Sequence, residues 1–253
     1  MSKDHGIGTT TPRLQARIVG LLYLLIILAA LFIPFGVAPS GISGMTLDEA
    51  GPLSIARIQA SMPLFVASGV AQLMVLVCDV IVAVLFYEML RSVSRPLSLL
   101  AAALRLIFTA IAGANVFNHY ACAILLSGAP FLDAFRPDEL QALALAFLKL
   151  RTLGFDVALT FFGFHCALLG YLVFRSPFFP GILGLLLGIG GGVGYLANIL
   201  VHVASPEIRG ALFPYIMFPA GLAELLLALW LIVVGVPATT GEAEDTGFQP
   251  PTA

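Results

Sequence analysis

LGFDVALTFFGFHCALLGYLVFRSPFFPGILGLLLGIGGGVGYLANILVHV, from Leu153 to Val203, is the stretch on which the fold turns. It holds two apolar runs, Leu153–Phe174 and Gly181–Val203, separated by Arg175, Ser176 and a break that ends at Pro180. Each run reaches the roughly 20 residues a helix needs to cross hydrocarbon, where only internal hydrogen bonding can satisfy the backbone. Outward from this pair, four more runs meet the same test: Ile18–Val37, Leu64–Leu90, Leu97–Leu126 and Leu212–Val236. Pro63, Pro96 and Pro180 fall at helix entries, where a missing backbone donor costs little. The sequence therefore predicts an all-α, polytopic transmembrane helical bundle of about six spans over residues 17–236, with tails at 1–16 and 237–253.

Composition agrees. The 253 residues are 60% hydrophobic and 10% charged, against roughly 45–50% and 25% in soluble domains. Twelve Lys and Arg with fourteen Asp and Glu cannot coat a water-facing exterior of this size, so the exterior faces a lipid bilayer. The formal net charge of -2 provides no basic surface for a run of phosphates, which excludes nucleic acid as a partner. Cys78, Cys122 and Cys166 each sit inside an apolar run, too far apart for a CxxC metal site and odd in number for a disulfide framework. Lys3, Arg13 and Arg17 before Ile18–Ile33 imitate a signal peptide. No small-x-small cleavage site follows, however, and the run reads as a retained span.

Basic residues set the expected orientation, because Lys and Arg are retained on the cytoplasmic side. Lys3, Arg13, Arg17, Arg91, Arg95 and Arg175 fall on one side, against Arg57, Arg136 and Arg209 on the other. Both termini are therefore expected in the cytoplasm. Lys149 and Arg151 reduce the contrast, as snorkelling residues at the outer end of the fourth span. Outside the spans, Ile55, Ile58 and Met62 suggest an interfacial helix, and the tail from Pro237, with Glu242, Glu244 and Asp245, lacks the apolar content to order itself.

Ionisable side chains at membrane depth cost roughly 2.5–3.5 kcal/mol each on insertion scales, so each needs a partner, a cavity or a function. The spans carry Asp79, Arg105, Asn115, His119, Asp156, His165, Asn198, His202 and Glu224. Counting along the helices puts Asn115, His119, Asp156, Asn198 and His202 in the outer half, Asp79 and Glu224 near the middle, and Arg105 and His165 nearer the cytoplasm. An outward-facing polar cavity follows as the expected binding site, lined by His119, Asn115, Asp156, His165, Asn198, His202 and Glu224. Asp79 and Arg105 are expected as a buried charge pair.

Asn115-x-x-x-His119 and Asn198-x-x-x-His202 each place an amide and an imidazole one turn apart on one helix face. Facing imidazoles suit axial ligation of haem iron, and His with Asp or Glu suits zinc where three or four converge. A histidine bonded to a neighbouring helix is the plainer reading of each. Gly184, Gly188 and Gly192 recur every fourth residue, a spacing that lets helices approach closely, either inside the bundle or against a partner protein. HExxH, GxSxG and dinucleotide-binding turns are missing, so no catalytic residue is assigned.

FFGFHCALLGYLVFRSP (Phe161–Pro177) and ILGLLLGIGGGVGYL (Ile182–Leu196), with ARIVGLLYLLIILAALF (Ala16–Phe32) and RPLSLLAAALRL (Arg95–Leu106), resemble a bacterial family of multi-pass membrane proteins known as domain of unknown function 4386. Arg105, Asp156, His165, Gly170, Tyr171, Arg175, Ser176 and Pro177 are the positions that look typical of it. The resemblance implies a multi-pass membrane fold and carries over no activity, cofactor or catalytic residue. The sequence leads to a protein that binds or transports a small molecule or ion. A haem protein with His119 and His202 as ligands, and a non-catalytic subunit of a membrane complex, are the alternatives.

Overall fold

The computed structural model describes residues 12–37 and 55–236. The expected tail from 237, all but the last residues of the 1–16 tail, and residues 38–54 of the first outer loop lie outside the described residues. Helices account for nearly all of the rest: α1 Pro12–Val37, a short α2 at 55–60, α3 Met62–Leu90, α4 Arg95–Leu125 and α5 Pro137–Arg175. The fifth span is α6 Gly181–Leu186, a π-helical segment Leu187–Val193 and α7 Gly194–Ala204, and α8 Pro206–Val233 follows. Six of these segments are long and apolar enough to cross a membrane, and no strand occurs among the described residues.

Consecutive spans are neighbours, and α1 packs against α8, so the six form a closed ring. The first and last spans meet so closely that a β-carbon on Gly20 would stand 2.8 Å from the Ala228 carbonyl oxygen. Large apolar side chains face outward, Phe117 at 79% and Leu200 at 68% exposure, as expected where the outer solvent is hydrocarbon. Ile55 and Ile58 of α2 are buried against Phe65, Cys122, Ala144 and Leu148, capping one end of the bundle. Proline in the first turn opens α3, α4, α5 and α8.

Three helices differ from the sequence expectation. The fourth span, expected from Leu153, begins at Pro137, where the side chain of Glu139 accepts from the Arg136 backbone N–H at 3.0 Å. At 39 residues and about 1.5 Å per residue, α5 outruns the bilayer core, and its polar first turns stand outside it. The helix that carries the sixth span begins at Pro206, five residues before the membrane-crossing stretch Ala211–Val233, whose start lies one residue from the expected Leu212. The fifth is interrupted by the π-helical turns, which the run Gly190-Gly191-Gly192 accommodates because it has no β-carbons to crowd the wider coil.

The glycine face weighed above as a dock for another protein lies on α5 of the same chain. A β-carbon on Gly170 would come within 2.5 Å of the Gly188 nitrogen, and one on Gly184 within 2.5 Å of the Gly170 carbonyl oxygen. Contacts this close between backbones stabilise helices in lipid by packing alone. Gly170→Ala should therefore lower the thermal midpoint of the detergent-solubilised protein, with a penalty of about 1–3 kcal/mol for overpacking. Gly113→Ala should leave the midpoint unchanged or raise it, since its β-carbon would meet Leu76 at an ordinary 3.6 Å. Equal midpoints for the two variants would contradict the α5–α6 packing.

Candidate functional site

Arg105 is fully buried at the centre of the ring. Its Nε donates to Asp79 Oδ1 at 3.0 Å and its Nη2 donates to the same oxygen, while Nη1 donates to His165 Nε2 at 3.2 Å. The tautomer of His165 follows from these partners. Arginine cannot accept, so Nε2 bears the lone pair, and Nδ1–H donates to the Ala101 carbonyl at 2.8 Å. The guanidinium also lies 5.0 Å from the centroid of the Tyr23 ring and 5.2 Å from that of Phe162. Such cation–π contacts strengthen to about 2 kcal/mol when desolvated.

Glu224 of α8 adds a second carboxyl group, which accepts a hydrogen bond from the Tyr195 hydroxyl of α7. The hydroxyl of Tyr23, itself fully buried, has no hydrogen-bond partner among the described residues. Tyr23, Asp79, Arg105, His165 and Glu224 each stand about ten residues, or roughly 15 Å, from the same-side end of their helices. All six spans thus contribute to one polar centre near mid-depth. The expectation that Arg105 and His165 lie closer to the cytoplasm than Asp79 is corrected by the bonds that join them. Depths counted from assumed span edges accumulated the difference.

The remaining polar residues form a second layer toward the Pro137 end of α5. Asn198 Nδ2 donates to Asp156 Oδ1 at 2.8 Å, and His202 Nδ1 donates to Asp156 Oδ2, joining α7 to α5. Asn115 Nδ2 donates to the Arg151 carbonyl at 2.7 Å, and its Oδ1 accepts from Asn118 at 2.8 Å. His119 stacks on Phe65 with centroids 3.9 Å apart and donates from Nε2 to the Phe65 carbonyl at 2.8 Å. His119 and His202 therefore serve different contacts, which gives the haem reading no geometric support. Among the described residues, no three His, Cys, Asp or Glu side chains converge to hold a metal ion.

The seven residues expected to line one cavity are thus divided. His165 and Glu224 belong to the centre, Asp156, Asn198 and His202 to one outer cluster, and Asn115 and His119 to another. A crevice of about 10 Å³ opens beside Asn115 and His119, room for about one water. Tyr23, Tyr195 and Phe162 are central residues that sequence reasoning missed. A tyrosine at mid-span was the available signal, since Tyr in membrane helices favours the interfaces.

With this geometry in place, comparison with known proteins adds the lineage. Residues 18–235 match the family described as Domain of unknown function (DUF4386). The chain belongs to the DUF4386 family. An "Uncharacterized protein" of the archaeon Archaeoglobus fulgidus is 28% identical over 162 residues, covering 64% of this chain and 80% of that protein. No solved structure matches. Within this DUF4386 chain, the Arg105–Asp79 pair makes a direct prediction. Arg105→Met leaves Asp79 buried and unpaired and should cost about 3–5 kcal/mol in unfolding from mixed micelles, whereas adding Asp79→Leu should recover most of the loss. A double variant no more stable than the single one would contradict the pairing.

Proposed function

We propose that this protein binds a small solute or ion and moves it across the membrane, with the polar centre as the control point. One observation carries the reading: six helices each bring a polar or aromatic side chain to a single mid-depth cluster with one guanidinium and two carboxyl groups. Packing alone needs no such expense, because apolar side chains of similar volume would fill the ring at lower cost. With one cation against two carboxyl groups, the cluster is neutral only when one carboxyl holds a proton, and Glu224 is the one outside the Arg105–Asp79 pair. Proton exchange at Glu224 would couple solute movement to a pH gradient.

The interrupted fifth span supports the same reading. Transporters place irregular helices beside their sites, and here the π-helical turns lie between α5, at Cys166, and α8, where a β-carbon on Gly190 would stand 2.9 Å from the Pro219 carbonyl oxygen. Pro219 lies inside α8 and removes one helical hydrogen bond at the same contact. Two weakened helices therefore meet beside the centre. The arginines at one end of the bundle, among them Arg91, Arg95 and Arg175, favour cytoplasmic termini in a bacterial inner membrane.

Purified protein in lipid vesicles with an imposed pH gradient, offered a panel of small organic anions, cations and neutral solutes, tests the proposal. Uptake of one solute class should depend on the gradient. Glu224→Gln, which keeps an acceptor for Tyr195, should abolish that dependence while leaving the fold intact. Absence of uptake across the panel, or uptake indifferent to Glu224→Gln, would remove the reading.

A further inference from the structure

The α1–α8 contact that closes the ring also fixes what faces Glu224. A β-carbon on Gly20 would stand 2.8 Å from the Ala228 carbonyl oxygen, and one on Gly235, just past α8, would stand 3.8 Å from the Arg13 carbonyl oxygen. The two helices therefore run antiparallel. One turn from the Gly20–Ala228 contact, in the same direction along the bundle, come Tyr23 on α1 and Glu224 on α8. The Tyr23 ring is fully buried, edge-on to Phe86 of α3 with centroids 6.1 Å apart, and its centroid lies 5.0 Å from the Arg105 guanidinium carbon. Its hydroxyl adjoins both Arg105 and Glu224 and bonds to neither.

Buried hydroxyls are ordinarily bonded, and here both kinds of partner stand ready. Arg105 spends three of its five N–H groups on Asp79 and His165, so donors are left over. Glu224 receives the Tyr195 hydroxyl on Oε1, which leaves Oε2 for a second partner. An ionised carboxylate only accepts, whereas a protonated one also donates. A phenol suits both states, because its hydrogen donates and its oxygen accepts.

We propose that Tyr23 is the positioning residue of the centre: its hydroxyl donates to Glu224 when that carboxyl is ionised and accepts from it when it is protonated. No proton leaves Tyr23; only the hydroxyl turns. In the ionised state the phenol oxygen is open to a spare N–H of Arg105, and a chain runs from Arg105 through Tyr23 to Glu224. In the protonated state the Glu224 O–H takes up that oxygen instead. The charge on α8 is thereby felt at the Arg105–Asp79 pair on α4 and α3 through a side chain of α1. The titratable and charged groups facing Glu224 are Tyr23, Asp79, Arg105, Cys166 and Tyr195, with His165 behind Arg105. The inference rests on the reading of Glu224 as the group that exchanges a proton.

Infrared spectra of the full chain in lipid bilayers, recorded across pH, test it without any solute. The Tyr23 phenol C–O band is identified by its loss in Tyr23→Phe, and the Glu224 carboxyl C=O band by its loss in Glu224→Gln. Both bands should change with one midpoint, and the Tyr23 band should no longer respond to pH in Glu224→Gln. In Tyr23→Phe, which keeps the ring contacts, the Glu224 band should move to higher wavenumber because its O–H has lost an acceptor. If Tyr23→Phe does not fold, the tyrosine C–O change that vanishes in Glu224→Gln decides alone. A Tyr23 band that stays fixed while the Glu224 band titrates, or that moves as far in Glu224→Gln as in the native protein, would overturn the proposal and leave the transport reading standing. Bands that titrate together in a protein that takes up no solute would support the proposal and remove the transport reading. A Glu224 band indifferent to pH would overturn both.

Discussion

A guanidinium held in a ring of six helices needs a negative partner at bonding distance, because hydrocarbon surrounds the ring and water cannot supply one. Arg105 meets that demand through two donors to Asp79, a third to His165 and two aromatic faces. Its partners come from three other spans, Tyr23 on α1, Asp79 on α3, and Phe162 and His165 on α5, so satisfying one side chain fixes the level of α1, α3, α4 and α5 together. Polar contacts between membrane helices are individually modest, about 0.6 kcal/mol on average. A charge that would otherwise be stranded is a stronger constraint, and it sets depth, where apolar packing alone would let helices slide.

Around that centre, the two halves of the ring are joined by different means. On the α3–α4–α5 side the links are the ion pair and its hydrogen bonds. On the α5–α6 side they are backbone contacts at Gly170, Gly184 and Gly188, where the lack of side chains brings the helices together. The π-helical turns begin within this tight region, at Leu187, and continue to Val193, and α7 then returns to polar contacts with Asp156 and Glu224 through Asn198, His202 and Tyr195. Rigid packing, irregular backbone and a polar cluster thus succeed one another along a single span, an order suited to a helix that bends at a fixed place.

Much of the fold was legible in the sequence, because hydrophobic length reports the solvent directly. Six runs gave six spans. The start of α5 was hidden for the same reason: Asp138, Glu139, Gln141 and Lys149 are helical residues outside the lipid, and hydropathy marks where lipid ends, whereas the helix continues. The site was legible as a set of residue types but not as an arrangement. Every ionisable residue at depth stood out against its apolar neighbours, yet which acid meets Arg105 depends on helix rotation and crossing, which no single span encodes. Tyr23 and Tyr195 escaped notice because a tyrosine inside an apolar run passes for a hydrophobe until its ring is seen against a guanidinium, as for Tyr23, or its hydroxyl on a carboxyl group, as for Tyr195.

The most direct measurement is a solid-state NMR dipolar recoupling experiment on protein in lipid bilayers, with arginine labelled in the side-chain nitrogens and aspartate in the carboxyl carbon. Besides the exposed Arg136–Asp138 pair at 2.8 Å, a second Arg–Asp pair should dephase strongly, assigned to Arg105 and Asp79 by its loss in Asp79→Asn, at the range set by an Nε–Oδ1 distance of 3.0 Å. Dephasing that is the same in Asp79→Asn as in the native protein would mean that Arg105 is held by something else and that the ring is not built around this pair.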